Sequence, residues 1–197
     1  MLNQAQLLLL MSLAKKRKSN NSMSELSSKS KERTKQSPSL KARALRLLSL
    51  REYSRKSLGA KLAESEARWA KLGGEQAEQT SESTKSQIEV VLDDFEARGW
   101  LSDERFAEAL VRRRSERYGM RRIADELERA GVDSSKSAKL MKSLKETEYQ
   151  RAYDLWARKY GELAQDQKER ARQYRFLASK GFSSDVVGKI IGGQKPD

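Results

Sequence analysis

A chain of 197 residues with 35% charged and 37% apolar residues is too polar for a large closed core, and its length suits one ordinary domain or a short array of repeats. Cys and His are both absent, which excludes zinc fingers, disulfides, thiol nucleophiles and imidazole acid–base chemistry together. The formal net charge is +13, of which residues 1–39, with eight basic residues against two acids, supply +6.

In chain order, the apolar run LLLLMSLA ends at Ala14 and is followed directly by Lys15, Lys16, Arg17 and Lys18. A signal peptide places its charges before the apolar run and ends in a small-residue cleavage site, which this run does not do. It is also too short to span a bilayer. The expectation is a start codon assigned too early, with Met11 or Met23 the true beginning, or a tail that does not fold; a transient membrane or partner contact is the weaker alternative. Ser19 to Ser39 is rich in Ser and Lys and poor in large apolar residues, so residues 1–39 read as a disordered basic tail.

The two prolines are Pro38 and Pro196. Between them apolar residues recur at three and four rather than at two, so the expected class is all-α. The strand-like run from Ile88 continues through Val91 and Leu92 to Phe95 with helical spacing. It reads as a helix.

The stretch from Trp100 to Val132 is the most patterned. Ser102 is placed to cap a helix that opens on Asp103 and Glu104, carries Phe106, Ala109 and Leu110 on one face, and closes on Arg112, Arg113 and Arg114, the charge order a helix dipole favours. Gly119 breaks the run. A second helix follows with Ile123, Ala124 and Leu127, and Gly131 can supply the left-handed residue that ends it.

This pattern recurs. YRFLASKGFSSDVVGKII from Tyr174 lies over ADELERAGVDSSKSAKLM from Ala124 at a constant offset of fifty, with Leu177 on Leu127 and Gly181 on Gly131. Upstream, Leu58 and Leu62 match Ile123 and Leu127, and Tyr53 matches Tyr118. Three three-helix units follow: repeat 1 over residues 40–100, with helices Leu40–Arg51, Arg55–Leu72 and Gln87–Arg98 and a mobile polar connection over 73–86; repeat 2 over 101–146, with Asp103–Tyr118, Met120–Ala130 and Ser135–Leu144; and repeat 3 over 147–197, with Glu148–Tyr160, Lys168–Lys180 and Ser184–Ile191. So small a unit has too little core to be very stable alone, so tandem units sharing buried faces are expected to form an elongated array. Its expected core includes Leu47, Leu58, Leu62, Phe95, Phe106, Leu110, Ile123, Leu127, Trp156, Leu177, Phe182 and Ile190.

Such an array suits a groove or filament better than a small-molecule pocket. Its candidate contact residues are Arg112, Arg113, Arg114, Arg117, Arg121 and Arg122, six arginines against the single acid Glu116. A charge run is most often a solvated helix end, but this density exceeds that role, and arginine favours forked contacts with phosphate or carboxylate. Tyr118 among them could stack on a base, although the matching Tyr53 argues for a structural role. Arg51, Arg55 and Lys56 form a second candidate face, and Arg158, Lys159, Lys168, Arg170, Arg172 and Arg175 a third. The turn in SRKSLGAKL from Ser54 is only faintly like that of a helix-turn-helix reader. No phosphate-cradling loop, metal cluster or activated nucleophile is visible, so neither catalysis nor a cofactor is expected.

Three segments, YSRKSLGAKL from Tyr53, GWLSDERFA from Gly99 with the following RRRSERYGMRRIADELERAGV, and RFLASKGFSSDVV from Arg175, together resemble the RecX family over about residues 40–192. Where that family often has two Asp after its Gly-aromatic-Leu, this chain has Ser102 and Asp103. The resemblance implies three tandem three-helix repeats, a cytoplasmic location, and negative regulation of the RecA recombinase. It implies binding to RecA filaments on single-stranded DNA, with suppression of ATP hydrolysis, strand exchange and coprotease activity. A monomer with no membrane contact and no cofactor is the expected form, and a direct DNA-binding regulatory or architectural protein is the alternative.

Overall fold

A computed structural model describes residues 38–73 and 81–196, so most of the expected basic tail over 1–39 and the middle of the expected connection over 73–86 lie outside the described residues. The described residues form nine helices and no strand. By their internal contacts they divide into two compact units, one ending at Ser102 and the other running from Asp103 onward.

The first unit contains α1 (Leu40–Leu50), α2 (Arg55–Gly73) and α3 (Ser81–Ala97). Ser39 caps α1, its hydroxyl accepting from the Ala42 amide at 3.3 Å. Ala44 and Leu48, four residues apart, turn inward to meet Leu58 and Leu62 of α2 and Ile88, Leu92 and Phe95 of α3. Leu47 lies about a quarter-turn from that stripe and is only partly covered, which corrects its expected place in the core. Helix α3 begins at Ser81, six residues ahead of the expected Gln87, and takes in the end of the expected connection. Ser81 to Ser86 has no apolar periodicity to announce a helix. It has Glu82 in its first turn, near the positive end of the dipole, and a Glu82–Lys85 ion pair at 3.5 Å.

The second unit contains α4 (Asp103–Arg114), α5 (Met120–Arg129), α6 (Ser134–Glu146), α7 (Glu148–Lys159), α8 (Gln167–Ser179) and α9 (Ser184–Ile191). Two three-helix clusters lie in it. Leu110, Ile123, Leu127, Val132 and Leu144 fill one, and Trp156, Leu177, Phe182, Val187 and Ile190 the other. The inward stripe of α4 runs through Asp103, Ala107 and Leu110, so Phe106 flanks it and is only partly buried, a second correction to the expected core. Gly131 and Gly181, fifty residues apart, have φ of 74° and 86°, and each is followed by an amide that reaches back to the carbonyl of Leu127 or Leu177. The expected equivalence of the two repeats is therefore matched at the level of the backbone.

Two local devices set helix ends. Asp133 caps α6, its carboxylate accepting from the Ser135 amide at 2.8 Å and from the Ser135 hydroxyl at 2.5 Å. These hydrogen bonds hold the Asp133 carboxyl below its ordinary pKa of 3.8. A depressed folded value means that the carboxylate's contribution is present above about pH 3.8 and is lost as pH falls through the lower folded value. Urea midpoints followed from pH 5 to 2 should fall less steeply in Asp133→Asn than in the parent chain. Equal slopes would remove Asp133 as an acid-sensitive cap.

Helix α4 stops at Arg114, four residues short of the expected Tyr118. The carbonyls released in this turn are taken by α7: Arg151 Nη1 donates to Ser115 O at 2.7 Å and to Tyr118 O at 3.0 Å.

Candidate polyanion interface

The α4–α5 connection, Ser115 to Gly119, is fixed from both sides. Gly119 N–H donates to Lys180 O at 3.0 Å and Arg121 N–H to Gly181 O at 3.3 Å. A Cβ on Gly119 would fall 2.3 Å from Gly181 O and Phe182 N, so only glycine allows the two main chains to meet there. Glu148, buried at the start of α7, accepts the Met120 amide at 2.9 Å, which satisfies a free donor in the first turn of α5. Half-buried Arg151 adds Leu144 O at 2.8 Å to its two loop carbonyls. Burial pushes its guanidinium below the ordinary value, and the Glu148 carboxylate opposes that shift.

This frame gathers cations from α4, α5, α7 and the C-cap of α8 onto aromatic rings. Over Tyr118 lie Arg122 at 4.6 Å, Arg114 at 5.3 Å and Lys180 at 5.5 Å from the centroid. Over Phe176 lie Lys159 at 3.7 Å and Lys180 at 5.6 Å, and Tyr160 meets Phe176 edge-on at 5.6 Å. Arg158 Nη2 donates to Glu116 O at 3.3 Å and Arg122 Nη1 to Ser179 O at 3.4 Å. Residues from two of the expected basic faces thus meet at one junction. Tyr118, with three cations on its ring, is a structural post for them, in agreement with the role its match to Tyr53 suggests. Arg51 stands over the Tyr53 ring at 4.5 Å in the same way.

The candidates differ in how far their charge is already engaged. Arg114 pairs with Glu126 at 3.0 Å, and Arg122 lies 4.0 Å from the same carboxylate. Arg117 and Arg121, on either side of Gly119, are exposed and have no ion-pair partner among the described residues. Arg112 and Arg113 are likewise exposed and unpaired at the end of α4. Lys168 and Arg172 sit in the first half of α8, Lys168 exposed and Arg172 paired with Glu169 at 3.0 Å, so the junction does not gather them. In the first unit Lys56 is exposed.

Arg55 is committed inside its own repeat, to Glu89, to Asp93 at 2.7 Å and to Glu96 at 2.6 Å. Partial burial works against its charge, but hydrogen bonds to Asp93, Glu89 and Glu96 outweigh it and hold the guanidinium pKa above its ordinary value. Its role is to clamp α2 to α3.

The sequence reading missed Lys180, Glu148 and Arg151. Lys180 precedes Gly181 in a repeat already aligned on Gly131, so its position at a helix end was visible, but its meeting with the α4–α5 turn, which crosses between repeats, was not. Glu148 and Arg151 had no local signal, because their partners are backbone groups at Met120, Ser115 and Tyr118.

Among the described residues no cluster of three acids could hold a metal ion, and no helix is long and apolar enough to cross a membrane. A family model described as RecX, second three-helix domain, matches residues 102–138, and one described as RecX, third three-helix domain, matches 146–191. Regulatory protein RecX of Leptothrix cholodnii is 43% identical over 153 residues, which cover 78% of this chain and 87% of that protein. Its counterpart in Herminiimonas arsenicoxydans is 42% identical over 149 residues, 76% and 88% of the two chains. The crystal structure of RecX from Lactobacillus salivarius is similar with a TM-score of 0.56 at 21% identity, covering 78% of this chain and 92% of that one, a likeness of fold. Two domain matches, close identity across most of each relative and a body of three-helix units make this chain a member of the RecX family of regulatory proteins.

Proposed function

We propose that this chain, as a cytoplasmic monomer without a cofactor, binds RecA recombinase filaments on single-stranded DNA and lowers their ATPase, strand-exchange and coprotease activities. It does so by occupancy. Differential affinity for one filament state shifts the population away from the active one, and no bond is made or broken by this protein. The observation that carries this reading is the α4–α5 junction, where unpaired Arg117 and Arg121 extend a cation–aromatic cluster held by main-chain bonds. Acidic recombinase surface or the DNA within the filament is the complementary partner, with Arg112 and Arg113 as outlying contacts.

The test is recombinase ATPase on single-stranded DNA with the parent chain and with Arg117→Glu/Arg121→Glu. The parent chain should inhibit, and the double variant should need about tenfold more protein for half-inhibition at unchanged helical circular dichroism. Full inhibition by the variant would remove the junction from the interface. The alternative, a direct DNA binder, is separated by salt titration without recombinase: about six phosphate contacts would lose roughly a thousandfold in affinity between 50 and 200 mM salt, from a tight start.

A further inference from the structure

A second surface lies on repeat 3, on helices α8 and α9. Gln167, Arg170, Ala171, Tyr174 and Arg175 recur with helical spacing along one face of α8, and Gly188, Ile191 and Gly192 do so at the end of α9. Between them runs an open groove of about 470 Å³. Its floor is Ala171, Gly188 and Ile191. A Cβ on Gly188 would meet nothing within 4 Å, so the floor is low and unfilled there. At its rim Tyr174 is 38% exposed, and beyond Gly192 the side chain of Leu163, 44% exposed, lies 3.0 Å from where a Cβ on Gly193 would sit. These are two of the four large apolar side chains exposed among the described residues.

The charges fix what fits. No acid lines the groove, and the guanidinium groups of Arg170 and Arg175 have no partner among the described residues. At 3.6 residues per turn the two arginines stand about 140° apart around α8, with Tyr174, Gln167 and Ala171 between them. An apolar strip with a cation on each side complements a segment whose apolar side chains are flanked by acids. A single nucleic-acid strand wants cations in file along its backbone and open aromatic faces for its bases. Here the cations diverge and the one ring is more than half covered. The chain's own apolar run before Ala14 is also a poor fit, because Lys15, Lys16, Arg17 and Lys18 follow it and would meet Arg170 and Arg175 as like charges.

We infer that this groove docks an acidic, amphipathic peptide segment of a protein partner. This deepens the reading of the chain as a regulator that acts through protein contact, and it gives repeat 3 a contact separate from the α4–α5 junction.

The experiment contains no recombinase, so its failure is distinct from failure of the inhibition assay. The full chain, labelled with 15N, is titrated with a synthetic helical peptide of Leu, Glu and Asp whose leucines share one face, with the same peptide scrambled, and with oligo(dT). The facially patterned peptide should move the amides of Ala171, Gly188 and Gly192, the scrambled one should bind about tenfold more weakly, and Arg170→Glu/Arg175→Glu should weaken the patterned peptide about tenfold. Melting of the double variant at the parent temperature shows that the loss is one of docking. Groove amides that stay still, that move equally with both peptides, or that follow oligo(dT) instead would overturn the assignment.

Discussion

Replacing Gly119 by alanine is expected to destabilise the unit formed by residues 103–197 by about 3 to 5 kcal/mol, an overpacking cost at the upper end for one methyl group. The backbone of Gly119 has φ −75°, ψ 169°, which alanine adopts without strain, so the effect isolates contact from conformation. The added Cβ would lie 2.3 Å from Gly181 O and Phe182 N and 2.4 Å from Gly181 C. These are main-chain atoms and cannot rotate aside. Relief requires the α4–α5 turn to draw back from the end of α8, which would break the bonds from Gly119 N–H and Arg121 N–H to the Lys180 and Gly181 carbonyls. Loss of glycine's preference at this N-cap adds less than about 1 kcal/mol. Urea denaturation followed through Trp156 measures the effect. A loss below about 1 kcal/mol would mean that the two turns are not in contact in solution.

Arg151→Met should cost about 2 kcal/mol. Methionine keeps an apolar stem of similar length, so what disappears is the set of donors to Ser115 O, Tyr118 O and Leu144 O. Ser115 O and Tyr118 O then lack a partner in a half-buried site, at about 1 kcal/mol apiece, while Leu144 O keeps the Thr147 hydroxyl at 3.5 Å. Arg151 also reaches Thr147 Oγ1 at 3.2 Å, a contact within its own helix that contributes less. Native-state hydrogen exchange provides a second measurement: amides of residues 115–119 should exchange faster in the variant, with little change in α9. Uniform acceleration across the unit would point to global loosening, and no acceleration would remove Arg151 as the support of the turn.

The two variants also mark what could be read from the residues. Helix positions were legible because apolar spacing records which face is buried, and Ile123, Leu127 and Leu177 stand where that spacing puts them. The end of α4 was not, because apolar spacing says nothing about carbonyls that a side chain on α7 will satisfy. Charge was legible in amount but not in commitment. Arg55 looked like a contact residue because the acids that engage it, Glu89, Asp93 and Glu96, come from a different helix. Lys180 and Lys159 became part of the junction only when α7 and α8 were folded against the α4–α5 turn. The repeat offset was the one long-range signal in the sequence. It gave the equivalence of Gly131 and Gly181, while the meeting of Gly119 with Gly181 crosses between repeats and leaves no periodicity.

Because the turn that carries Arg117 and the start of α5 that carries Arg121 are already anchored by main-chain bonds and by Arg151, a partner arriving there meets a rigid template. Only the outer rotamers of those two side chains remain to be ordered, so association through this turn should be fast and governed by long-range attraction, with the lifetime of the complex left to short-range fit.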